Sequence, residues 1–270
     1  MRNLSPRTIE TYWWHIHDYC RFHGKHPGDL GTTELRNYFH NMLTCGKYGP
    51  GSIKMGYYSL KFLYTQVLKL EWESQSLPTP KVPKLLPIVL SVEEVKEILY
   101  VIPNLKHRTI IMFMYATGVR VSECINMRVK DIDSQRSQVK VQMGKGRKQR
   151  YTQLSAYMLK MLRKYYREYR PKYWLFEGGK GHTSHIGETA VREILSKARY
   201  KTPKITKHYT PHTFRHSFAT HHLEMGTNLL IIQRFLGHSD IKDTVKYLHV
   251  QQYSVDKLSN PLDELYNRED

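Results

Sequence analysis

Cysteine is scarce in this chain of 270 residues. There are three, Cys20, Cys45 and Cys124, far apart and never in a CxxC pair. That excludes a disulfide framework, gives no support to a zinc knuckle, and leaves the three as small core residues. Long apolar runs are missing too. No stretch approaches the roughly 18 apolar residues of a membrane helix, and the opening MRNLSPRTIE is too polar for a secretory leader. A cytoplasmic protein with no membrane span is expected. Neither a P-loop nor a GxGxxG occurs, so nothing points to a bound nucleotide. Acidic residues are also in deficit: 24 Asp and Glu stand against 42 Lys and Arg, a formal net charge of +18.

Such an excess favours polyanions, because each phosphate neutralised by Lys or Arg releases a condensed counterion. Residues 1–90 carry 11 basic and 6 acidic side chains, and residues 91–270 carry 31 and 18. Contact with nucleic acid is therefore expected along the chain rather than in one tail. A membrane surface is the rival polyanion, but no basic amphipathic segment with a Trp/Phe face stands apart.

Proline is concentrated in LPTPKVPKLLP, which holds Pro78, Pro80, Pro83 and Pro87. This stretch cannot be a helix interior, so residues 77–89 read as an extended linker between two domains, 1–76 and 90–270. The first reads as all-helical. Ser5 and Pro6 open a helix through Ile9, Trp13, Ile16, Tyr19 and Cys20. A second begins near Thr33 with apolar Leu35, Phe39 and Leu43, and a third follows GPGS with Ile53, Tyr57, Leu60, Leu63, Tyr64 and Val67. Those aromatics read as core rather than as base-stacking residues. In the second domain Ser91 and Glu94 form a capping box, and helices are expected around 92–102 and 106–117, the latter stopped by Gly118. Val139–Met143 alternates as a strand, and GKGRKQ turns into a second strand, 150–154, giving a β-hairpin. Four or five further helices complete a domain that is mostly helix with a small antiparallel sheet.

Four segments of this second domain, YATGVRVSE, GKGRKQ, PHTFRHSFATHHLEMG and LGHSDIKDTVKYLHV, occur in that order. Together they resemble the boxes of the tyrosine recombinase (phage integrase) family, with spacing close to that of the bacterial Xer recombinases. The likeness is weak before residue 90 and strong after it. It implies a SAM-like core-binding domain at 1–76, a catalytic domain at 90–270, and a reaction that cuts and rejoins double-stranded DNA through a 3′-phosphotyrosine.

The roles implied by the resemblance suit the residue types. Arg120 and Arg215 present guanidinium forks that match phosphate oxygens and would neutralise the charge growing in a pentavalent transition state. Glu123 would orient an active-site basic group; the plainer reading is a surface pair with Arg120 at i,i+3. Lys145, at the hairpin tip, would protonate the leaving 5′ oxygen. Lys148 is its rival for that role and otherwise a phosphate contact, and Arg147 and Arg150 are expected to bind DNA. His212 could accept the nucleophile's proton or hold a phosphate oxygen, and His238 would donate to the same phosphate. Tyr247 would attack, with Tyr253 a rival lying six residues too late. The phosphotyrosine ester keeps the bond energy, so no cofactor is implied. His212 and His216 stand at i,i+4, a spacing that suits zinc, but the Glu of HExxH is absent and Arg215 would set a positive charge beside the ion, so no metal is expected. His208, His221, His222 and His249 read as structural.

By the same resemblance, the first family helix is expected to be missing before Ser5, and a separate arm-binding domain is not expected. Leu258, Leu262 and Leu265, with Tyr266 beside them, form an apolar stripe on a helix at about 254–266. It could pack on its own domain or, as in the family, dock on the next protomer of a homotetramer. A type IB topoisomerase and a non-catalytic DNA-binding regulator are the alternatives in other classes. Integration or excision of a mobile element, dimer resolution and integron cassette exchange all share this chemistry. The 66 residues between Lys145 and His212 leave little room for the extra segment of integron integrases.

Overall fold

Caps set where this chain becomes helical. A computed structural model describes residues 4–72, 79–80, 86–142, 149–179 and 181–249, and the chain divides into two units, Met1–Leu85 and Leu86–Asp270. Most of the Pro-rich stretch 77–89 lies outside the described residues.

In the first unit the side chain of Ser5 accepts from the Thr8 amide at 3.2 Å, and Pro6 begins helix α1, Pro6–His23. Helices α2 (Thr32–Thr44) and α3 (Pro50–Phe62) follow. α3 runs on into a π-helical turn, Leu63–Val67, in which the Leu68 amide reaches back to the Leu63 carbonyl. Tyr19, Leu35, Tyr38, Met42, Tyr57, Leu60 and Tyr64 form the core.

The buried face of α1 is the expected one only toward its C-terminal half, where Tyr19 is buried and Ile16 and Cys20 pack against the core. Ile9 and Trp13 are 55% and 68% exposed, whereas His15, Asp18 and Tyr19 are buried. Leu43 and Val67 are exposed as well. The reason is a polar network inside the unit. The Asp18 carboxylate accepts from the Tyr38 hydroxyl at 2.8 Å, from the Tyr48 hydroxyl at 2.5 Å and from Arg21 at 3.0 Å. Two phenols that need an acceptor keep a carboxylate on the buried face of α1 beside Tyr19, while Ile9 and Trp13 nearer its start stay exposed. Burial pushes the Asp18 carboxyl up, but the bonds from Tyr48, Tyr38 and Arg21 outweigh it and hold it below the usual carboxylate range. Cys20 and Cys45 are half-buried; Cys124 alone of the three lies fully in a core.

The second unit opens with the Ser91 capping box. The Ser91 hydroxyl accepts from the Glu94 amide and the Glu94 carboxylate accepts from the Ser91 amide at 2.7 Å, starting α4, Val92–Tyr100. Helix α5 (Leu105–Thr117) is apolar all round, with Ile110, Ile111, Phe113 and Met114 fully buried, so it runs through the middle of the core. The short α6 (Val121–Ile125) follows. Strands β1 (Ile132–Asp133), β2 (Gln138–Val141) and β3 (Arg150–Gln153) form an antiparallel sheet in that order, with Val139 opposite Thr152 and Val141 opposite Arg150. The predicted hairpin is present as β2 and β3, and its tip, residues 143–148, lies outside the described residues. Then come α7 (Ala156–Tyr169), a second hairpin of β4 (Glu177–Gly178) and β5 (Gly181–His185), α8 (Glu188–Lys201), α9 (Pro211–Glu224), α10 (Leu229–Leu236) and α11 (Lys242–Val245). The β4–β5 hairpin has no counterpart in the sequence reading, because GHTSH lacks the alternating apolar residues that mark a strand. α9 packs chiefly against α5 and is itself largely buried. Among the described residues no helix is long and apolar enough to cross a membrane.

The Asp18 network makes a measurable demand. Asp18→Ala leaves the buried Tyr38 phenol and the half-buried Tyr48 phenol without their acceptor and should destabilise the first unit by about 2 kcal/mol in urea unfolding. Because the folded carboxyl lies below its unfolded value, its contribution is present above about pH 4 and is lost on further acidification. Asp18→Ala should therefore flatten the acid limb of the stability profile as well as lower its plateau.

Candidate active site

Glu123 sits at the centre. Gly118, at φ +64°, ends α5 in the left-handed conformation and lets the chain turn at once into α6. A Cβ there would lie 2.5 Å from the Phe218 ring, so glycine is required by space as well as by φ. Arg120 begins α6, its amide donating to Glu123 Oε2 at 2.7 Å and its Nη1 to Oε1 at 3.1 Å. The Glu123 side chain is 9% exposed, so the pair is not the surface i,i+3 bridge that spacing alone would suggest.

Two further arginines converge on this carboxylate. Arg150, from the start of β3, forks onto it, Nη1 to Oε1 at 2.8 Å and Nη2 to Oε2 at 2.7 Å, while Nε donates to the Phe235 carbonyl at 2.7 Å. Arg215, on α9, lies 4.0 Å from Glu123 Oε2 and is 3% exposed. Its Nη1 donates to the Gly118 carbonyl at 2.6 Å and its Nη2 to the Leu236 carbonyl at 2.7 Å. These carbonyls belong to the C-terminal ends of α5 and α10, both closed by left-handed glycines, Gly118 and Gly237. Helix C-termini carry partial negative charge, so the fold aims two of them at one buried guanidinium.

The electrostatics follow from three cations around one anion. Burial would push the Glu123 carboxyl up, but the Arg150 fork, the Arg120 amide and Arg215 hold it down to about 2, so it stays ionised at any working pH. Burial and the neighbouring Arg120 lower Arg215 to about 9, against the pull of Glu123. It remains charged near neutrality, and the pocket keeps an excess of positive charge suited to an anion.

His238 follows Gly237. Its Nε2 lies 3.0 Å from Arg215 Nη2 and its Nδ1 2.8 Å from the Thr244 hydroxyl. Arginine can only donate, so Nε2 accepts, and the ring proton sits on Nδ1 facing Thr244. Burial first, then Arg215 and Lys246, press the imidazole down to about 3, so it is neutral. To donate to a phosphate oxygen, as the motif reading expects, His238 would have to carry a proton on Nε2.

Tyr247 is fully buried, packed with Phe218, Ala219, Leu223, Ile232 and Leu236. Its ring lies nearly parallel to that of His238, 13° apart with centroids at 6.4 Å, and the Lys246 ammonium is 5.2 Å from the ring centroid. Its hydroxyl meets His216 Nδ1 at 3.0 Å. Burial pushes the phenol up to about 12 although Arg215 and Arg120 oppose it. His212, in the first turn of α9, keeps an accessible surface, and its ring lies 6.4 Å from that of His216. Burial of the ring, Arg215 and Arg120 lower its pKa.

Arg120, Glu123, Arg215, His238 and Tyr247 thus fall into one continuous set of contacts, with His212 beside it. Lys145, Arg147 and Lys148 lie outside the described residues, as do Tyr253 and the segment 254–266. Arg150, which was expected to bind DNA, is 8% exposed, and its guanidinium bonds to Glu123 and the Phe235 carbonyl. The strand alternation held the signal, since Arg150 shares the inward face of β3 with Thr152. His216 was set aside with the zinc reading. Its real neighbour, Tyr247, is 31 residues away, and no spacing rule connects them. Among the described residues no group of metal-ligating side chains is present.

Residues 89–253 match the phage integrase family, and residues 1–74 match the phage integrase N-terminal SAM-like domain. The protein y4qK of Sinorhizobium fredii, named as a candidate integrase/recombinase, is 39% identical over 97% of this chain and 85% of its own length. The tyrosine recombinase XerA of Thermococcus kodakarensis is 33% identical over 93% of this chain and 87% of its own. Among solved structures, a lambda integrase dimer bound to a COC′ core site aligns with TM-score 0.76 at 17% identity, covering 96% of this chain and 76% of the other; this likeness is one of fold.

The Arg150–Glu123 fork predicts a non-additive pair. Arg150→Met leaves a buried carboxylate short of its main partner and should cost about 3 kcal/mol of stability in the second unit. Adding Glu123→Gln should recover part of that loss, a coupling that a double-mutant cycle in urea reads directly.

Proposed function

The chain belongs to the phage integrase family, whose tyrosine recombinases cut and rejoin DNA at specific sites, and on that premise we propose that it does so through a 3′-phosphotyrosine formed on Tyr247. The observation that carries the reading is the unbroken path of contacts from Arg120 through Glu123, Arg215 and His238 to Tyr247. The chain is an enzyme of the Xer-like branch, and DNA is its substrate.

In this reading the scissile phosphate binds beside Arg120 and Arg215. Glu123, itself gripped by Arg150, holds Arg120 in place, so the positive charge is arranged before the substrate arrives. Tyr247 Oη attacks phosphorus, the bond to the 5′ oxygen breaks, and Lys145 supplies the proton that the leaving oxygen takes. His212 contacts a nonbridging oxygen, and His238 does so once its proton has moved from Nδ1 to Nε2. The phenol starts at about 12, so deprotonating it outright at pH 7 would cost about 7 kcal/mol. The proton therefore leaves as the oxygen–phosphorus bond forms. A partner strand's 5′-hydroxyl reverses these steps and completes the exchange, with no metal or nucleotide consumed.

Recombination of two sites requires four cleavages. We assign these to a homotetramer on two short core sites, joined by the leucine-striped segment at 254–266, with integration or excision of a mobile element or dimer resolution as the biological outcome. Support for the DNA partner comes from the positive pocket, the net charge of +18 and the core-site complex of the lambda integrase neighbour.

On a nicked suicide substrate the wild-type chain should form a covalent complex. Tyr247→Phe should abolish that complex while leaving DNA binding within about twofold, and Arg215→Ala should slow cleavage by about 10²-fold or more. Retention of the complex by Tyr247→Phe would move the nucleophile elsewhere. Deleting residues 254–270 should spare binding and cleavage of a single site and abolish synapsis; full-rate recombination by the truncated chain would sink the helix-exchange assignment.

A further inference from the structure

We infer that His216, one helical turn beyond His212, is the group that takes the phenolic proton of Tyr247 during strand cleavage and returns it on rejoining. The inference rests on the reading of Tyr247 as nucleophile and replaces His212 as the proton acceptor.

The argument begins with contact. Among the described residues the Tyr247 hydroxyl bonds to His216 Nδ1, at 3.0 Å, with ring centroids 5.6 Å apart. No hydrogen bond joins His212 to Tyr247. A proton acceptor must lie within hydrogen-bond reach of the proton it removes, and His216 does. The direction of the bond follows from the two groups' surroundings. Tyr247 is completely buried, which disfavours its phenolate, and His216 is largely enclosed beside Lys246, His212 and Arg215, which disfavours its imidazolium. The phenol accordingly keeps its proton and donates, while His216 is neutral with a lone pair on Nδ1 and its own proton on Nε2.

His212 is placed for a different task. It stands in the first turn of α9 with an accessible surface, next to Arg120 and Arg215, where a phosphate oxygen would be received. α9 thereby divides two duties between two histidines at i and i+4: the outer one faces the phosphate and the inner one the nucleophile.

The step balances. The Oη–H bond of Tyr247 breaks and its proton goes to Nδ1 of His216. The Oη–P bond forms, the P–O5′ bond breaks, and the 5′ oxygen takes a proton from the general acid. In rejoining, the 5′-hydroxyl returns its proton to the general acid as its oxygen bonds to phosphorus, the Oη–P bond breaks, and Tyr247 takes its proton back from Nδ1. The groups facing His216 are His212 and Arg215 on its own helix and Lys246 and Tyr247 after α11. All but Tyr247 disfavour an imidazolium, so the proton is held only while the ester exists and is returned readily.

The test uses the full chain and single-turnover cleavage of a nicked suicide substrate. His216→Asn keeps a hydrogen-bonding amide beside the hydroxyl but cannot accept a proton. It should lower the cleavage rate by about 10²-fold or more at unchanged DNA affinity, with the remaining rate rising log-linearly with pH. His216→Ala should behave similarly, and added imidazole should restore part of its rate. His212→Asn should slow cleavage without changing the slope of the pH profile. Wild-type rates from His216→Asn would overturn the inference. So would faster cleavage, which would make the bond a latch on the nucleophile. In the intact protein, nitrogen-15 shifts should show Nδ1 of His216 unprotonated and Nε2 protonated, and the reverse tautomer would also overturn it. A covalent complex surviving Tyr247→Phe would instead remove the nucleophile reading on which the inference rests.

Discussion

One buried carboxylate organises the catalytic unit. Glu123 is nearly enclosed and permanently ionised, so it must be surrounded by cations, and Arg120, Arg150 and Arg215 converge on it from three different elements. A lone charge at this depth would cost several kcal/mol, and an arginine cluster without it would repel itself. The two problems offset each other, but three positive charges meet one negative charge. The surplus is the pocket's chemical content: it leaves capacity for an anion at a place where solvent screening is weak.

Backbone geometry carries the same logic further. Gly118 and Gly237 close α5 and α10 in left-handed caps and present their last carbonyls to Arg215. Gly237 also lies so close to Arg150 that a Cβ would stand 2.6 Å from its Cδ. The glycines therefore do two jobs at once, ending helices and letting guanidinium groups approach main chain. Because α5 and α9 are both deeply buried, these positions cannot drift independently. Arg120, Arg215 and His238 are held by the packing of the whole unit rather than by any one loop.

The depth of the site decides what could be foreseen. Helix starts were legible where a cap is a local event, as at Ser5 and Ser91, and the β2–β3 hairpin where alternation is local. The face of α1 was legible at Ile16, Tyr19 and Cys20 but not elsewhere, because the usual rule sends Trp13 inward and Asp18 outward. Here Tyr38 and Tyr48, 20 and 30 residues distant, supply the donors that make a buried carboxylate favourable. Arg150 makes a related point: an arginine beside a basic turn reads as a DNA contact, and its bond to the buried Glu123 is visible only in the fold. Glu123 was legible as a partner of Arg120 three residues away, yet its burial, which separates it from an ordinary surface pair, is a property of the packed core.

The order and types of residues from Arg120 to Tyr247 are properties of the sequence, and they determine the family and its DNA chemistry. The net positive charge and the absence of nucleotide motifs are equally sequence properties. What only tertiary structure decides is which groups touch. It brings Arg150 from a strand onto Glu123, sets His238 against Arg215 as an acceptor, and places His216 rather than His212 on the Tyr247 hydroxyl. Spacing along a helix can say that two side chains share a face. It carries no information about a partner that arrives 31 residues later and becomes a neighbour only when the core closes around both.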